Sequence, residues 1–121
     1  MKKTPFSALF CLFLLAGCMS AEQENNLRYV DATYGKTIYQ EYKDDKDAWR
    51  IFDRPDLGKM GVSLSMDKTI ALGKNYGGNW PGKADFRSAA AGFFKQARRN
   101  CSITADKTLS PTGYEFSYAC K

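Results

Sequence analysis

Cys101-Ser102-Ile103-Thr104-Ala105 and Tyr114-Glu115-Phe116-Ser117-Tyr118-Ala119-Cys120 lie at the end of the chain, and both runs alternate apolar with polar residues. Alternation with a period of two predicts strands with one buried face. Pairing the runs antiparallel with Cys101 opposite Cys120 brings Ile103 to Tyr118 and Ala105 to Phe116. All six residues then share one face, because parity is kept along each strand. Directly opposed positions without ladder hydrogen bonds hold Cα atoms about 4.5 Å apart, the short end of what a disulfide spans. Residues 106–113 between them, with Pro111 and Gly113, read as a loop.

A helix over 85–100 precedes this hairpin and supplies something for its apolar face to meet. Phe86, Ala90, Phe93, Ala97 and Cys101, with Phe94 beside them, fall on one stripe at helical spacing. Asp85 is a suitable N-cap, Lys95, Arg98 and Arg99 suit the negative C-terminal end, and Asn100 can close it. Gly92 costs about 1 kcal/mol against Ala in a helix interior, so its presence predicts close packing against a strand.

Further back, Met60, Val62, Leu64 and Met66 alternate with small residues and predict another strand. Asp67-Lys68 reads as a turn, residues 69–72 as the returning hairpin partner, and 73–82 as a Gly-rich loop. Residues 53–58 carry turn chemistry, and 43–47 form a charged turn. The apolar run 49–52 fits either a strand or the end of a helix. Residues 27–42 are rich in Tyr, Val and Ile and predict strands broken at Gly35. The sum is an α+β domain. We expect one antiparallel sheet of about four to six strands, one main helix at 85–100 packed on one face, and a C-terminal hairpin.

The other end of the chain speaks to location. Lys2-Lys3 precede an apolar run from Phe6 to Ala16. A charged start, a short apolar run and a small-residue processing site form an export signal, too short for a membrane span. Its last residues, Leu15-Ala16-Gly17-Cys18, resemble the lipobox of bacterial lipoprotein precursors. The resemblance covers residues 1–18. It implies cleavage between Gly17 and Cys18, a diacylglycerol on the Cys18 sulfur and an acylated new amino group. Met19 stands where an Asp marks retention in the inner membrane, so the resemblance implies the outer membrane, with the domain facing the periplasm. The division expected is a signal peptide over 1–17, a lipidated Cys and flexible tether over 18–26, and a single small domain over 27–121. Export also sorts the four cysteines: Cys11 leaves with the signal, Cys18 carries lipid, and Cys101 and Cys120 form an even pair in an oxidising compartment, hence a disulfide.

Removing the signal leaves 104 of the 121 residues and takes away two lysines and no acid, so the net charge falls from +5 to +3. That is too weak a field for a nucleic-acid footprint, and export points away from nucleic acid in any case. No His occurs in the chain, which removes the commonest acid–base catalyst and metal ligand. Gly77-Gly78-Asn79-Trp80-Pro81-Gly82-Lys83 matches the spacing of a phosphate-binding loop, but Ala84 replaces the metal-binding hydroxyl and Pro81 removes an amide donor, so no nucleotide is expected. Asp44, Asp45, Asp47, Asp53 and Asp56 do not fit a calcium loop. No metal, no cofactor and no enzymatic activity are expected.

The residues with a contact role in prospect are Tyr76 and Trp80, aromatic in a Gly-rich loop, and Arg87, Lys95, Arg98 and Arg99 on the polar side of the helix. Trp80 serves equally well as a cap over the core. The reading is a membrane-anchored envelope lipoprotein, a non-catalytic interaction or accessory factor for an envelope protein. The alternative is a module for lipopolysaccharide, anionic lipid or peptidoglycan, bound through the basic helix face or the aromatic loop.

Overall fold

The computed structural model describes residues 20–74 and 80–121. Residues 1–17, Cys18 and Tyr76 lie outside the described residues. Five strands, β1 (Gln40–Lys43), β2 (Ala48–Arg54), β3 (Lys59–Leu64), β4 (Cys101–Ser110) and β5 (Gly113–Cys120), form one antiparallel sheet in the order β1-β2-β3-β5-β4. Three helices accompany it among the described residues: α1 (Ala21–Tyr34), α2 (Met66–Lys74) and α3 (Lys83–Gln96).

Strand parity decides which side chains share a face. Tyr42 pairs with Trp49, Trp49 with Leu64, Ile51 with Val62, Met60 with Phe116 and Val62 with Tyr114, and all of these point to one side. That side is the core. α3 lies on it and buries Phe86, Ala89, Ala90, Phe93 and Phe94. Aromatic edges knit the two layers: Phe86 meets Trp49 at 4.9 Å and Tyr114 at 4.7 Å, and Phe94 meets Tyr118 at 4.8 Å between ring centres. Gly92 has the role its position predicted, because a Cβ there would fall on the Tyr42 hydroxyl of β1.

The α+β class, the antiparallel sheet and the cross-linked terminal hairpin agree with expectation. Cys101 is bonded to Cys120, with Cα atoms 3.9 Å apart, and Ile103 faces Tyr118. Beyond that the register slips. A bulge at Thr104 sets Ala105 against Ser117 and Asp106 against Phe116, so Ala105 is exposed instead of joining the apolar face. The expected loop at 106–113 is mostly strand, and the reversal is confined to Pro111-Thr112.

Among the described residues three helices stand where one main helix is expected. Residues 27–34 belong to α1, not to a strand, and α1 begins at Ala21, inside the stretch expected as a tether to Asn26. The Ser20 hydroxyl accepts from the Gln23 N–H at 3.1 Å while the Gln23 side chain accepts from the Ser20 N–H at 2.9 Å. This reciprocal cap, with Glu22 and Glu24 in the first turn, starts a helix that local β propensity does not predict. Residues 69–72 are likewise part of α2 instead of a returning strand. Ser65 ends β3 by donating its N–H to Ala48, and its own hydroxyl and carbonyl accept from the Lys68 and Thr69 N–H groups. Met66 therefore leaves the strand and is exposed. α3 is capped at Gly82, with Asp85 three residues in, accepting from the Gly82 N–H at 3.1 Å. It stops at Gln96 because Arg98 takes a positive φ of 57° and turns the chain into β4, which leaves Ala97 exposed and Asn100 outside the helix.

Candidate functional site

The residues between the core positions form the sheet's second face: Arg50, Phe52 and Arg54 on β2, Lys59, Gly61 and Ser63 on β3, Glu115 on β5 and Lys107 on β4. α1 covers part of it through a polar clamp. Glu115 is buried, and one of its oxygens accepts from the Tyr29 phenol at 2.6 Å and the Tyr34 phenol at 2.8 Å. Lys59 donates to the Tyr29 oxygen at 3.1 Å, and the Lys107 ammonium stands 3.7 Å from the centre of the Tyr29 ring. Arg54 donates to the Thr33 carbonyl near the helix end and pairs with Asp56. Burial first, then Glu115, push the Tyr34 phenol well above its ordinary range. Glu115→Ala is expected to lower stability by about 1–3 kcal/mol for each phenol stripped of its acceptor. Hydrogen exchange along α1 should rise more than along α3, as a clamp specific to α1 requires.

Beside the clamp a groove of about 540 Å³ opens between α1 and the sheet. Leu27, Val30 and Tyr34 line it from the helix, Phe52 and Leu109 from the sheet, and Gly61, Ser63 and Gly113 contribute small surfaces. Arg50 borders it, its Nε donating to the Leu64 carbonyl at 3.2 Å and its guanidinium over the Tyr39 ring. The size falls within the roughly 300–1,000 Å³ of ordinary ligand pockets.

A second hollow, of about 460 Å³, holds Glu41, Asp44, Asp45, Asp47 and Asp67 among Lys43, Lys46 and Lys68. It behaves as the solvated turn that the sequence predicts. Lys68 pairs with Asp47 at 2.9 Å, and Asp44 accepts from two backbone N–H groups and from the Trp49 indole. Burial opposes the Asp44 charge, but these donors outweigh it and hold the carboxyl below the usual carboxylate range. Among the described residues no three acidic or cysteine side chains gather as a metal site, and no helix is long and apolar enough to cross a membrane.

Among the described residues, those singled out as contacts do not form one site. Trp80 is exposed. Arg87 and Lys83 both reach Asp106, at 3.8 and 3.2 Å. Arg99 turns inward: it pairs with Asp53 at 2.6 Å and donates to the Tyr118 hydroxyl at 2.9 Å, while that hydroxyl donates to Asp53 at 2.6 Å. This closed triangle locks the start of β4 to β2 and β5. Among the described residues of that set, Lys95 and Arg98 alone are exposed cations outside these pairs.

Burial, then the bond to Asp53, push the Tyr118 phenol up to about 12, against the pull of Arg99. A free phenol titrates near 10. The unfolded chain therefore loses its proton first, and the stability contributed below pH about 10 drains away as pH rises toward 12. Tyr118→Phe should show a shallower fall in unfolding midpoint across that window than the parent chain.

No protein-family model, no curated protein and no solved structure matches this chain.

Proposed function

We propose that the chain is an envelope lipoprotein, held to the outer membrane by lipid on Cys18, whose periplasmic domain acts as a non-catalytic interaction module. The observation that carries this reading is Leu15-Ala16-Gly17-Cys18 at the end of a charged-then-apolar leader. The Cys101–Cys120 cross-link is in keeping with an oxidising compartment. The fold adds a constraint on geometry. Because α1 starts at Ala21, only Met19 and Ser20 separate it from the anchored residue. Three residue steps extend at most about 10 Å. On this reading the N-terminal end of α1 lies close to the bilayer, and a partner meets the domain near that surface. Growth with labelled palmitate tests the anchor. The parent chain should carry label and Cys18→Ser none; an unlabelled parent, or label retained in the variant, contradicts the reading.

A further inference from the structure

The groove beside α1 has an apolar lining, a volume suited to a ligand, and a position set by the anchor. We propose that it holds one of the acyl chains attached to Cys18 of the same molecule, an inference that rests on the lipoprotein reading above. Three observations meet here. The protein does not close over this apolar surface: Leu27 is 55% exposed, and Val30 and Phe52 are only partly covered. On the sheet side Phe52, Ser63 and Leu109 are each only partly covered, so an unbranched chain lying between them and Leu27 meets surface that the protein leaves open. The groove also begins within reach of the lipid. From Ala21 to Leu27 is about 9 Å along a helix, and the three residue steps before it add at most about 10 Å.

The competition between groove and bilayer is decided at the protein surface. Each methylene gains about 0.8 kcal/mol on leaving water for either apolar medium, so the chain itself has little preference between them. Only the groove site also removes Leu27, Val30 and Phe52 from water. A tether this short gives its own chain an effective concentration on the order of millimolar, ahead of any free amphiphile. The two acyl chains left in the membrane keep the molecule anchored, because stable anchoring takes two lipid signals. One face of the sheet is thus filled by side chains from α3 and the other is completed by lipid.

A photoreactive palmitate fed to cells and incorporated at Cys18 tests this in the native protein. After irradiation, mass spectrometry of the digested chain should find the acyl group of Cys18 joined to peptides containing Leu27, Val30, Phe52 or Leu109. Ser63→Trp, which fills the groove, and Leu27→Asp, which makes an already exposed wall polar, should each lower that yield at least fivefold, with circular dichroism and unfolding midpoint confirming the fold. Crosslinks confined to lipid or to other proteins would overturn the inference while leaving the anchor intact. Groove peptides joined to unesterified probe would overturn it as well, because the occupant would then be foreign. A chain with no label at all would remove the lipoprotein reading itself, and the inference with it.

Discussion

Trp49→Ala is expected to cost about 3–5 kcal/mol, the range for emptying a large aromatic site in a core. Trp49 is fully buried, lies edge-on to Phe86 of α3, and pairs across strands with both Tyr42 and Leu64. It also ties the core to the 44–47 turn, because its indole N–H donates to Asp44 at 2.9 Å. The substitution therefore opens a cavity beneath the helix and removes one of the donors that hold Asp44 ionised at low pH. A domain of this size loses roughly 4–8 °C of Tm per kcal/mol, so thermal unfolding should shift by more than 10 °C. Trp49→Phe keeps most of the volume and loses the donor and a few ring atoms, so its cost should be well below that of Trp49→Ala, about 1–2 kcal/mol. Equal costs for the two variants would mean that the indole bond, not packing, carries the effect.

Removing the cross-link is the second large effect. The cystine joins residues 19 apart in sequence, and closing a loop of that length restricts the unfolded chain by roughly 3 kcal/mol. Its position magnifies the consequence. β4 is an edge strand that pairs in the sheet with β5, and Arg99, two residues before its start, joins the triangle with Asp53 and Tyr118. A chain with Cys101→Ser and Cys120→Ser should unfold at a denaturant concentration lower by the equivalent of about 3 kcal/mol, with β4 exchanging its amide protons first. An unchanged midpoint would show that the hairpin holds without its staple.

The parts of the fold that the sequence made legible are those with a strong, unbroken period. The hairpin and α3 fall in this group, because burial on one face writes alternation or a helical stripe directly into the residues. Gly92 was legible for the same reason: a helix interior tolerates glycine where something must come close. α1 was not, although Leu27, Val30 and Tyr34 stand at helical spacing and Ser20 precedes Gln23 by three, the outline of a capping box. Its Tyr and Val residues carry β propensity, and the tertiary clamp to Glu115 overrides it. Residue 115 could be read as facing away from the core, but its partners Tyr29 and Tyr34 lie more than 80 residues earlier, and no local pattern announces that pairing. The bulge at Thr104 has no sequence marker either, so parity carried Ala105 to the wrong face. The same limit applied to the basic helix face. The order of residues placed Arg87 and Arg99 on it, and only the folded chain brings Asp106 and Asp53 to neutralise them.

Location and groove share one premise, that lipid is attached a few residues before α1. Intact-mass and N-terminal analysis of the protein extracted from membranes tests it most directly. The account predicts a chain that begins at Cys18, carries the added mass of a diacylglyceryl group and an amide-linked acyl chain, and contains one disulfide. A chain that retains residues 1–17, or one with an unmodified Cys18, would contradict it.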